Sequence, residues 1–112
     1  MIVEGVVLAL AGLAVLVSGL AASSGRLRRN AFVGIRTRTS LSSDEAWEIV
    51  HRAGGPWLTA SGLALVIGGG VAALARSGTV QMTAIVVGAV LCTALALAGM
   101  RAGQAAYRDR VR

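Results

Sequence analysis

The sequence predicts an all-α membrane protein: three transmembrane helices, with a short amphipathic helix on the cytoplasmic face between the first and the second. Apolar runs at residues 2–22, 55–75 and 79–100 carry no charge in their interiors, and Glu4 stands at the lip of the first. A helix of about 21 residues rises ~30 Å, the thickness of the hydrocarbon layer. Hydrophobic residues make up 55% of the chain and charged ones only 14%, more apolar than a water-soluble domain of this size. A soluble three-helix bundle would need a polar face on each helix, and none of the runs has one. With so few helices, residues 1–112 are expected to form one membrane unit, with a loop at 23–54 and a tail at 101–112.

The first run differs from a secretory signal peptide. It has no basic residues ahead of it, carries Glu4 instead, and places its arginines after the apolar stretch. An uncleaved helix with its N-terminus outside is expected. Its small residues Ala14, Ser18 and Ala22, with Gly12 and Gly19 nearby, form a loose stripe that suits either the other two helices or a partner protein. The Ser18 hydroxyl is expected to bond a carbonyl one turn back.

Charge sets the orientation. The net charge of +6 rests on eleven basic residues, all arginine. Arg26, Arg28, Arg29, Arg36, Arg38 and Arg52 lie between the first two runs, and Arg101, Arg108, Arg110 and Arg112 follow the third. Only Arg76 lies in the turn between the second and third. The positive-inside rule therefore puts the 23–54 loop and the C-terminus in the cytoplasm. A multi-pass protein of the plasma membrane is expected. The same flanking pattern explains the basic balance without nucleic acid, for which the loop offers little aromatic stacking surface.

Small residues mark where helices approach in lipid, because lipid supplies no hydrophobic drive for association. Ala60, Ala64, Gly68 and Ala72 recur every fourth residue in the second run, and Ala84, Gly88, Cys92 and Ala96 do so in the third. The short link Arg76-Ser77-Gly78 makes the two runs an antiparallel hairpin, with these stripes facing. Cys92 is then a packing residue, and a single cysteine supports neither an intrachain disulfide nor a cysteine metal cluster.

Residues 41–53 read as a separate amphipathic helix. Ser42 with Glu45 makes a capping box, and Leu41 with Ala46 a hydrophobic staple. Asp44 and Glu45 suit the positive end of the helix dipole, and Arg52 the negative end. Trp47 suits the membrane–water boundary. Ahead of this helix, Gly34 implies a turn or a close backbone approach.

The stretch Asn30…Gly34-Ile35-Arg36-Thr37, followed by Leu41-Ser42-Ser43-Asp44-Glu45-Ala46-Trp47 and by His51-Arg52 with Gly54-Gly55, resembles the signature loop of the SdpI family. That family is named for a bacterial membrane protein that confers immunity to a secreted peptide toxin. This chain has Arg38-Thr39-Ser40 where many members have Pro-Trp-Thr, and it resembles only the signature-bearing half of longer members. The resemblance implies a small integral membrane protein acting in toxin immunity, or in signalling by holding a regulator at the membrane. Asn30, Gly34, Arg36, Thr37, Trp47, His51 and Arg52 are the positions it carries over.

Chemistry outside the lipid is sparse. His51 is the sole histidine and has no company for a metal site. It serves either as a proton-sensitive group beside Glu48 or as a bonded end of the short helix. Ser42, Ser43 and Asp44 are spaced for capping rather than for a nucleophile and its base. No catalytic residue, metal or cofactor is expected, and no small-molecule substrate is identified. Arg36 and Arg38, with the hydroxyls of Thr37, Thr39 and Ser40, suit an acidic protein segment or anionic lipid headgroups. A non-catalytic protein binding a partner through this loop is the expected function. The alternative is an accessory subunit of a larger membrane complex.

Overall fold

The computed structural model describes residues 2–28, 30, 34, 35 and 37–110. Three long helices run antiparallel in sequence: α1 (Ile2–Ser23), α2 (Asp44–Leu74) and α3 (Gly78–Arg110). All three are long and apolar enough to cross a membrane. α2 is the central element; α1 and α3 each pack along it and barely meet one another. The bundle is 53 Å long and 20 Å across.

Side chains of the apolar runs divide as lipid requires. Leu10, Leu13, Val17, Leu63, Ile67, Val86, Val87 and Val90 face outward, an apolar belt that water would not tolerate. Hydroxyls within the helices are spent on their own backbones: Ser18 Oγ donates to Ala14 O at 2.8 Å, Thr59 Oγ1 to Gly55 O at 2.9 Å, and Thr93 Oγ1 to Ala89 O at 2.9 Å. Such bonds keep these three hydroxyl donors satisfied in hydrocarbon.

Glycine decides the α1–α2 contact. Gly5, Gly12 and Gly19 are buried along α1, and Gly55, Gly62 and Gly69 along α2, each set repeating at seven residues. A Cβ on Gly5 would lie 2.5 Å from Ala73 N, and one on Gly12 2.6 Å from Val66 N. The reciprocal position Gly69 would bring a Cβ to 2.5 Å from Ala9 N, and Gly62 would drive one into the backbone of Leu16. The two backbones touch. A seven-residue repeat keeps one seam facing its partner along a left-handed supercoil, so each glycine meets the neighbour in the same way. The looser stripe Ala14, Ser18 and Ala22 is not the seam. Ala14 is exposed and only Ala22 is buried.

The α2–α3 hairpin closes through Gly68 and Gly88. A Cβ on Gly68 would sit 2.9 Å from Ala84 O and 3.1 Å from Gly88 Cα, and one on Gly88 3.4 Å from Ala64 O. Ala72 is buried, and Ala60, Cys92 and Ala96 are half-buried. The contact continues past the fourfold stripes, where Gly54 lies against Gly99 O and Gly103 against Val50. At the hairpin turn Gln81 Nε2 donates to Ala75 O at 2.9 Å.

The separate interfacial helix expected at 41–53 is not formed. From Asp44 on, those residues are the first turns of α2, which runs unbroken for 31 residues through Pro56. Gly54, Gly55 and Pro56 look like a boundary in the sequence. In the structure Gly54 and Gly55 are close-approach positions, against Gly99 of α3 and Ser23 of α1, and packing on both sides carries the helix through. The third helix likewise continues to Arg110 rather than stopping near residue 100. At ~1.5 Å per residue α2 is about 46 Å long, so it protrudes well beyond a ~30 Å hydrocarbon layer. The protruding end is the polar one, with Asp44, Glu45, Glu48 and Arg52 exposed.

The cap also moves by one residue. Ser43 is the N-cap, its hydroxyl accepting from Ala46 N–H at 3.0 Å. Ser42 belongs to a 3₁₀ turn (Ser40–Ser42) and donates to Thr39 O at 2.6 Å. Ser43→Ala is expected to weaken α2 by about 1 kcal/mol, read as faster amide exchange in its first turn. Ser42→Ala should leave that turn unchanged.

Candidate functional site

α1 ends in a glycine cap. Gly25 has φ +76°, Gly25 N–H donates to Ala22 O at 3.2 Å and Arg26 N–H to Ala21 O at 2.8 Å, the paired bonds of a Schellman turn. This turn bends the chain back toward the protruding end of α2. Gly25 also gives room to Arg52, whose Nη2 lies 2.6 Å from where a Cβ would be. Arg52 is held in place by Glu48, Nε to Oε1 at 3.0 Å, an exposed pair that contributes a few tenths of a kcal/mol.

The described part of the connecting segment is fastened to α2 at two points. Trp47 Nε1 donates to Leu27 O at 3.0 Å. Ile35 N–H donates to His51 Nε2 at 2.9 Å. The two rings stack on each other with centroids 4.0 Å apart and planes 20° from parallel. Both are deeply buried, Trp47 at 2% and His51 at 1% exposure. Gly34 has φ +111° and lies so close over the imidazole that a Cβ would come within 2.6 Å of Nε2. Only glycine meets both demands.

Ser40 ties the segment to itself. Its Oγ donates to Ile35 O at 2.7 Å and accepts from Thr37 N–H at 2.9 Å, while Thr37 Oγ1 accepts from Ser40 N–H at 3.1 Å. Ile35, Ser40, Ala46, Trp47, Val50 and His51 thus form a small core outside the apolar runs. Asn30 Nδ2 donates to Arg28 O at 2.8 Å.

His51 has both ring nitrogens engaged. Nε2 accepts from a backbone N–H, and Nδ1 lies 2.8 Å from Trp47 O. A carbonyl only accepts, so Nδ1 carries the hydrogen and the ring is neutral. His51 lies on the protruding turns of α2, ahead of the apolar run. Burial there pushes its pKa below the ordinary imidazole value of 6.5, and the bond to the Trp47 carbonyl pulls weakly the other way.

Beside the latch opens a cleft of about 430 Å³ lined by Leu27, Arg28, Asp44, Trp47, Glu48 and His51, among others. Arg28, Asp44 and Glu48 supply an exposed charged rim, and Trp47 with His51 the floor. Thr37 is half-buried and Arg38 exposed nearby in sequence; Arg36, with Phe32 and Val33, lies outside the described residues. Among the described residues no group of three or more His, Cys, Asp or Glu is placed to hold a metal ion. The structure therefore brings together Gly34, Thr37, Trp47, His51 and Arg52 around the start of α2. It adds Gly25, Leu27 and Arg28, which sequence reasoning did not single out as site residues, and it buries the Ser40 hydroxyl, expected to face a ligand, in bonds to Ile35 and Thr37. Only Gly25, just past the end of an apolar run, carried a readable signal.

Three apolar helices, the second extended at its polar end to carry a latched connecting segment, define a small multi-pass membrane protein. The family model of the SdpI/YfhL protein family matches residues 26–100, which takes in this latch, all of α2 and α3 as far as Met100; the chain belongs to that family. Comparison with curated proteins and with solved structures gave no match.

Proposed function

We propose that this chain is a non-catalytic protein of the plasma membrane that acts in toxin immunity or signalling by binding a protein partner at its connecting segment. The carrying observation is the cleft where that segment meets the protruding turns of α2. Its rim of Arg28, Asp44 and Glu48 offers both signs of charge on a fixed scaffold, which suits a polar protein segment better than a purely anionic surface. Arg28 and Arg38 are exposed and also meet anionic headgroups, worth ~1 kcal/mol each near a membrane surface. The distribution of arginines supports a cytoplasmic location for this end, with the N-terminus outside and the C-terminus inside. The non-catalytic reading is supported by His51, whose two ring nitrogens serve the latch.

The test is cross-linking from a photoreactive residue at position 28 or 38 in native membranes, paired with expression in toxin-sensitive cells. A defined protein adduct is expected, weakened when Asp44 and Glu48 are replaced by Asn and Gln, together with protection from a peptide toxin. Capture of lipid alone, with no protection, would overturn the reading.

A further inference from the structure

We propose that the connecting segment is a proton-released flap: adding a proton to His51 Nε2 undocks Gly34–Ile35 from α2 and uncovers the Trp47 ring beneath. The hydrogen-bond geometry carries this. Nδ1 already holds its hydrogen against the Trp47 carbonyl, so the ring has one free lone pair, on Nε2, and the Ile35 N–H occupies it at 2.9 Å. A second proton would set two donors against each other at that distance. The ring has nowhere to move, because Gly34 closes over Nε2 and Trp47 is stacked on the ring. The segment is what yields. Ser40 binds Ile35 O and Thr37 N–H, so Ile35, Thr37 and Ser40 leave together.

The groups around His51 favour the charged ring once it is uncovered. Asp44 and Glu48 of α2 line the same cleft and attract an imidazolium, and the face of Trp47 does so as well. Arg28 of the connecting segment opposes it, and so does Arg52 of α2, which already pairs with Glu48 and leaves Asp44 the stronger attraction. α1 contributes only Ala22 to this cleft, and no described residue of α3 lines it; Arg29 and Arg36 lie outside the described residues. Burial holds the docked pKa below 6.5, while an undocked His51 in water titrates near that value. Docking is therefore at full strength above pH 6.5 and weakens as pH falls below it, because only the undocked form gains the proton readily.

The experiment uses the full chain in lipid nanodiscs with Trp57→Phe, leaving Trp47 as the only tryptophan, and follows acrylamide quenching from pH 8 to pH 5. Quenching should rise several-fold, with its midpoint below 6.5. His51→Gln puts an amide oxygen near the Nε2 position, accepts the Ile35 N–H and cannot be protonated, so its quenching should stay low throughout. A flat profile in the His51 protein, or the same rise in His51→Gln, would overturn the proposal. Should His51→Gln not fold, exchange of the Ile35 amide in the unsubstituted chain decides, after correction for intrinsic rates. About tenfold acceleration over that pH range supports the flap, and none overturns it.

Discussion

Gly62→Ala is expected to destabilise the chain by about 3 kcal/mol, the upper end for an overpacked site. The added methyl would strike the backbone N of Leu16 and lie 2.7 Å from Gly12 O. A side chain in the way can change rotamer; a helix backbone cannot. The helices would have to part, and parting at Gly62 also opens the contacts at Gly5–Gly69 and Gly19–Thr59, because all lie on one seam. Gly12→Ala should cost a similar amount, and the double substitution less than the sum, since helices already separated have little left to lose. Gly70→Ala is the internal control. Apart from its own helix backbone, nothing lies within 4 Å of a Cβ there, so the substitution should gain ~1 kcal/mol of helix propensity. Reversible unfolding in mixed micelles with increasing dodecyl sulfate measures all four. Equal stability for Gly62→Ala and Gly70→Ala would remove the seam from the account of the fold.

This seam was present in the sequence but easily overlooked. Fifteen glycines scatter through the chain, and a search for small residues every fourth position finds the Gly68–Gly88 side of α2. It passes over the sevenfold set on the other side. The two periods report different geometry: spacing by four follows one straight helix face, and spacing by seven follows a supercoiled seam. The three spans were legible because twenty apolar residues without a charge admit few other readings. The start of α2 was not. A polar, capped, amphipathic stretch followed by Gly54-Gly55-Pro56 reads as an independent helix, and only the neighbours at Gly99 and Ser23 show why the chain continues. Trp47 and His51 stood out by type and by spacing, one turn apart on α2. What the sequence withheld was direction. Both rings turn inward, because Leu27 O and the Ile35 N–H, which bond them, lie 20 and 16 residues away in the chain.

Trp47→Ala should release the connecting segment while leaving the helices paired. Truncating a buried tryptophan costs ~3–5 kcal/mol, through the vacated volume, the lost bond to Leu27 O and the lost stack on His51. Those partners belong to the latch, whereas α1 and α2 are held by glycine contacts further along the bundle, from Gly19–Thr59 to Gly5–Gly69. The energy should therefore appear as local opening rather than global unfolding. Each 1.4 kcal/mol is about tenfold in the open population, so a docking loss of ~3 kcal/mol predicts roughly hundredfold faster trypsin cleavage after Arg28 or Arg38. Trp47→Phe keeps an aromatic face for His51 but loses the indole N–H, a bond worth ~1 kcal/mol, and should accelerate cleavage several-fold. Unfolding in dodecyl sulfate should change far less than it does for Gly62→Ala. If Trp47→Ala instead dissolved the α1–α2 pair, the latch and the seam would be one cooperative unit. A flap moving on a fixed helical frame would then be physically untenable, since opening it would cost the stability of the whole bundle.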